Sequence, residues 1–203
     1  MGGYDFRIST LDDIDALLDR PGIPDAAVIA AMKKLARDGY FNYLGSFVER
    51  EGLSEAVLVE GAELLANAEE PRPIPVAHVL IKRDLSEDAR KSVMASLIQA
   101  IASMDEMALF ASAFAIHRLL NQSGNEEAVL TVIEGLEKQG SDFAKDELAY
   151  FSRRTKNPRL KDAAEQALGR MNNPLAGDGV QSGPADNMRR TPATADRSTK
   201  LKR

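Results

Sequence analysis

One spacing recurs five times along this chain and constrains its fold more than anything else. Small or apolar residues fall at i, i+3, i+4, i+7, i+8 and i+11, a continuous stripe along an α-helix. The clearest copy is Leu160, Ala163, Ala164, Ala167, Leu168 and Met171. The others begin at Val28 (Ala31, Met32, Leu35, Ala36, Gly39), Leu58 (Gly61, Ala62, Leu65, Ala66, Glu69), Val93 (Ser96, Leu97, Ala100, Ile101, Met104) and Val129 (Val132, Ile133, Leu136, Glu137, Gly140). The starts lie 30, 35, 36 and 31 residues apart. The second column holds Ala31, Gly61, Ser96, Val132 and Ala163, mostly small residues that let neighbouring helices approach closely. Glu69 and Glu137 interrupt the stripes near helix ends, where a side chain reaches water.

A helix precedes each striped one, so the pattern predicts about five helical hairpins. Thr10 and Asp13 resemble a capping box before Leu11, Ile14, Leu17 and Leu18, and Pro24-Asp25 opens the next helix, to about Asp38. The second hairpin runs from Tyr40 to about Ala68, with Ser54-Glu55 capping its second helix. Pro71, Pro73 and Pro75 predict an extended linker, with helix resuming at Val76–Arg83. Ser86, Glu87 and Asp88 start a helix through Ser103. From Asp105 to about Leu120 the chain is apolar nearly all round, which predicts a central core helix. Glu126–Lys138, Asp142–Lys156 and Pro158–Met171 complete the set, and no stretch shows sustained strand alternation. The expected organisation is a lead-in at 1–9, a helical domain at 10–172 and a disordered basic tail at 173–203.

The run Asn157 to Met171, NPRLKDAAEQALGRM, resembles the second helix of short HEAT repeats of the phycobilisome-lyase-like class. The resemblance rests on Leu160-Lys161, Ala163-Ala164 and Ala167-Leu168, and the apolar–basic pair does not recur in the other four units. It implies an all-α fold, a right-handed α-solenoid of stacked hairpins with a protein-binding role, and it carries no catalytic residue across. A compact irregular helical bundle is the alternative architecture.

Charge narrows the partner. The tail carries six basic residues against three acidic ones, which leaves the body at −8 in a chain of net −5. An acidic body is a poor grip on phosphates. That disfavours a HEAT-like DNA-glycosylase enzyme, which needs a basic groove and aromatic contacts to a damaged base. A tetrapyrrole lyase or chaperone is a further alternative, suggested by the resemblance alone. The chain has no cysteine, so it has neither disulfides nor a thiolate metal site, in keeping with a cytoplasmic setting. No apolar run approaches a membrane span, and the N-terminus lacks the basic and apolar regions of a signal peptide. His78 and His117 belong to no ligand pattern, and no nucleophile or phosphate-binding motif is present. The expectation is a non-enzymatic adaptor without cofactor or metal, binding a protein or peptide, most naturally a basic one.

Two surfaces are candidates for that partner. The outward columns of the second helices carry Lys33 and Arg37, Glu60 and Glu63, Gln99, Glu134 and Lys138, then Asp162 and Glu165. They form either an acidic groove or an ordinary solvated face. Tyr40, Phe41, Tyr43 and Phe47 cluster within eight residues. They either pack the first hairpin against the second or expose Tyr40, Tyr43 and Phe47 as an aromatic anchor.

Overall fold

The structure, a computed structural model, describes Ala16, residues 22–121 and residues 124–173. The expected lead-in, the first helix of the first hairpin and the tail from residue 174 lie outside the described residues. Within them the regular structure is entirely helical. The elements are α1 (Asp25–Arg37), α2 (Phe41–Val48), α3 (Glu55–Ala66), α4 (Pro73–Lys82) and α5 (Glu87–Ala102). They continue with α6 (Glu106–Ala111), α7 (Ala113–Leu120), α8 (Glu126–Gln139), α9 (Asp142–Arg154) and α10 (Pro158–Asn172).

Packing follows chain order. The striped helices meet in succession, α1 on α3, α3 on α5, α5 on α8 and α8 on α10. The first helices do the same, α2 on α4, α4 on α7 and α6 on α9. One apolar cluster runs from Val28 to Ala167 between the two rows. The stripes supply it: Met32, Leu35, Leu65, Leu97, Ile101 and Leu136 are fully buried. In α10 only Leu160, Ala164 and Ala167 are buried, while Ala163, Leu168 and Met171 are half-exposed, because no described helix follows to cover them.

The small column does what its size suggests. A Cβ on Gly61 would stand 2.4 Å from Val48 Cγ1 and 2.7 Å from Met32 Cε, whereas one on Gly169 would meet nothing within 4 Å. Gly61→Ala is therefore expected to destabilise. Overpacking against the stiff, β-branched Val48 costs about 1–3 kcal/mol, which outweighs the ~1 kcal/mol helix-propensity gain. Gly169→Ala should keep that gain and stabilise by about 0.5–1 kcal/mol. Urea denaturation of the two variants tests the opposite signs.

Two expectations fail, each for a physical reason. The triple-proline segment is not all linker: α4 begins at Pro73 and includes Pro75. Both prolines fall in its first turn, where backbone N–H groups have no intrahelical acceptor, so the missing donors cost nothing. The stretch from Asp105 to Leu120 is not one central helix. It divides at Ser112 into α6 and α7, and Met107, Phe110 and Phe114 face outward.

Three of the four junctions between striped helices are also tied at the helices' N-terminal ends. Ser54 caps α3 by accepting from the Val57 N–H, and its hydroxyl donates to the first-turn acid of α1, Asp25 (2.7 Å). Ser86 caps α5, and its N–H and hydroxyl donate to the first residue of α3, Glu55 (2.5 and 2.7 Å). Asn157 caps α10, and its amide donates to the first residue of α8, Glu126 (3.4 Å). These ties span 29, 31 and 31 residues.

One tie gives a pH signature. The Ser86 backbone N–H, and then its hydroxyl, hold the Glu55 carboxyl below its ordinary value of 4.5. A depressed carboxyl contributes stability that is present above the unfolded value and lost as pH falls through the folded one. Thermal unfolding from about pH 6 to about pH 3 should fall more steeply in the native chain than in Glu55→Gln. Parallel curves would show that the tie adds no pH-dependent stability.

Candidate binding face

The exposed side of the striped row is a face of shallow grooves. Between α5 and α8 lies one of about 390 Å³, floored by Met94, Ala95, Ile98 and Ala102 and edged by Lys91, Gln99, Glu134 and Lys138. Between α8 and α10 lies another of about 400 Å³, lined by Leu130, Ile133 and Ala163, with Glu134, Glu137, Lys138, Gln166 and Arg170 at its edges. Glu134 and Lys138 stand between the two and pair at 2.9 Å. The apolar floor is what the sequence reading missed. Met94, Ala95, Ile98 and Leu130 are apolar positions lying off the buried stripes of α5 and α8, and that excess was the available signal.

The acids on this face are largely answered by neighbouring cations. Glu60 meets Lys33 across α1 and α3 at 3.1 Å. Glu165 faces Lys161 at 3.9 Å, one turn away. Glu137 takes both Nε and Nη2 of Arg170 at 2.5 and 2.8 Å, a fork that binds the Arg170 proton more tightly than usual. Among the described residues Glu63 and Asp162 have no ion-pair partner and stand exposed. The face therefore offers apolar grooves between paired charges, with two free carboxylates, rather than a uniform acidic strip.

The aromatic cluster divides. Phe47 is 2% exposed and belongs to the core, so it takes no part in an exposed anchor. Tyr43 is half-buried, and Arg50 reaches its hydroxyl at 3.5 Å while lying over the Phe47 ring. Tyr40, preceding α2, is 44% exposed. Three residues that share a sequence cluster thus sit at three depths, because Tyr40 precedes the helix and Phe47 faces inward from it.

Each histidine lies against a carboxylate. His78 Nδ1 is 2.5 Å from Glu49 Oε1. His117 Nδ1 is 3.7 Å from Glu147 Oε2, and its ring packs on Tyr150 at 5.1 Å. Among the described residues no cluster of three or more His, Asp or Glu side chains is arranged to hold a metal ion, and no helix is long and apolar enough to cross a membrane. No known protein-family model matches the chain, and no curated protein matches it in sequence.

Proposed function

We propose that this chain is a non-enzymatic adaptor, a right-handed α-solenoid of HEAT-like hairpins that presents its striped row to a peptide or protein bearing basic residues. The observation that carries the reading is the successive contact of α1, α3, α5, α8 and α10, which makes one extended face with two apolar-floored grooves. Such a face suits an extended or helical segment. Its apolar side chains would enter the grooves, and its Lys or Arg residues would meet Glu63, Asp162 and the carboxylates now answered by lysines. The −8 charge of the body favours basic partners at long range.

The test is a random peptide library displayed on phage and panned on the full chain. Enriched sequences should interleave Lys or Arg with apolar residues. A peptide synthesised from them should bind the variant with Glu60, Glu63, Glu134 and Glu165 all changed to Gln about tenfold more weakly, since each exposed pair is worth no more than about 1 kcal/mol. Added salt should mimic that loss, chiefly by slowing association. Enrichment of acidic peptides, or unchanged affinity of the quadruple variant at low salt, would overturn the reading.

A further inference from the structure

The outer side of the α6–α7 segment carries an apolar stripe that no described residue covers. Met107, Phe110 and Phe114 are 75%, 63% and 83% exposed, and Ala111 is exposed with them. This is the i, i+3, i+4, i+7 spacing of a helix-contact face. The opposite side, Leu109, Ile116, Leu119 and Leu120, is already buried in the core. Phe110 is steadied by the edge of Phe143, with ring centroids 5.7 Å apart. At the break Ser112 closes α6, its N–H donating to Ala108 O (3.0 Å), and opens α7, its carbonyl accepting from the Ile116 N–H (2.9 Å).

Four residues along this side recur every fourth position: Glu106, Phe110, Phe114 and Arg118. The series is symmetric about Ser112 with its charges reversed. Among the described residues neither Glu106 nor Arg118 has an ion-pair partner. A second copy laid antiparallel, with the two-fold axis at Ser112, sets Phe110 of each copy against Phe114 of the other. The same register sets Glu106 of each copy opposite Arg118 of the other. An isologous interface requires this self-complementarity, because one patch must serve both sides.

The area agrees. A large side chain carries roughly 150–250 Å², so three at these exposures present on the order of 400–500 Å². Two facing patches approach the ~1,000 Å² expected of a specific interface, before the rim is counted.

We propose that the chain forms a two-fold dimer through an antiparallel α6–α7 contact centred on Ser112. This face lies on the other row from the proposed peptide-binding grooves, so either reading can fail while the other stands. The test is the mass of the full chain by sedimentation equilibrium at micromolar concentrations. The expected result is a dimer. Phe114→Ser should give a monomer with unchanged helical circular dichroism, because that side chain is almost wholly outside the fold. Arg118→Glu alone should raise the dimer dissociation constant at least about tenfold by setting like charges face to face. Adding Glu106→Arg should restore dimerisation, because the swapped pair is again opposite in sign. A full chain that stays monomeric overturns the proposal and leaves the stripe to a different partner. A dimer that survives Phe114→Ser places the interface elsewhere. Failure of the double swap to restore the dimer rules out the antiparallel register.

Discussion

Ala100→Asp is expected to abolish cooperative folding of the described helical body. Ala100 is 0% exposed in the last turn of α5, the helix that packs on α3, α4 and α8. Its neighbours on the same stripe are Leu97 and Ile101, both fully buried, so a carboxylate there meets hydrocarbon. An unpaired buried polar group costs about 2–7 kcal/mol, and the extra volume adds about 1–3 kcal/mol. A domain of this size holds only about 5–15 kcal/mol in total. The thermal transition monitored by circular dichroism should broaden or disappear. A midpoint near that of the native chain would mean that the α5 stripe is not the packed centre.

Ala164→Glu should have a large effect of a different kind. Ala164 is also 0% exposed, but α10 is the last described helix and among the described residues packs mainly against α8 and α9. In the stacked arrangement proposed above, stability is approximately a sum over units and their junctions. The insult should therefore melt α9 and α10 and leave α1 to α5 folded. Amide hydrogen exchange reads this directly: protection lost over Asp142–Asn172 and retained over Asp25–Ala102. Loss of protection along the whole chain would argue for an indivisible bundle. Ala163→Glu, one residue earlier, is the control. Ala163 is half-exposed in the lining of an open groove, and a carboxylate there reaches water.

These contrasts also show what was legible in the sequence. The striped helices were readable because each turns one side into the core, so burial imposes a strict period on residues such as Val93, Leu97, Ala100 and Ile101. Their caps were readable because Ser54, Ser86 and Asn157 act on their own first turns. The first helices were less transparent. Pro73 and Pro75 look like helix breakers until their first-turn position is known. Periodicity in Asp105–Leu120 shows two apolar sides but not which one the fold covers, so Phe110 and Phe114 read as core. On the binding face, Glu60 and Glu134 were visible as outward acids. The Glu134–Lys138 pair is local to one helix, but the Lys33–Glu60 pair was not legible, because Lys33 reaches Glu60 only once α1 lies beside α3. The cap-to-acid ties were missed although a signal existed: their 29- to 31-residue span nearly matches the period of the stripes.

Those ties bear on how a chain of this type can change length. In each tie the earlier striped helix offers an acid at its first residue and the later one receives it at its cap, a hook meeting an eye, and α3 carries both halves. A segment copied in phase with this unit brings both halves, and both new joints can close without altering any other residue. A segment copied out of phase leaves a cap facing no acid. The α5–α8 joint departs from the pattern. There Arg90 bonds Glu127 at 2.9 Å, between the fourth residue of α5 and the second of α8. It spans the unit that contains the broken α6–α7 segment, with its longer 36-residue period. A copy taken across that joint would carry a different lock, so duplication or grafting is expected to succeed within Asp25–Ala102 more readily than across it.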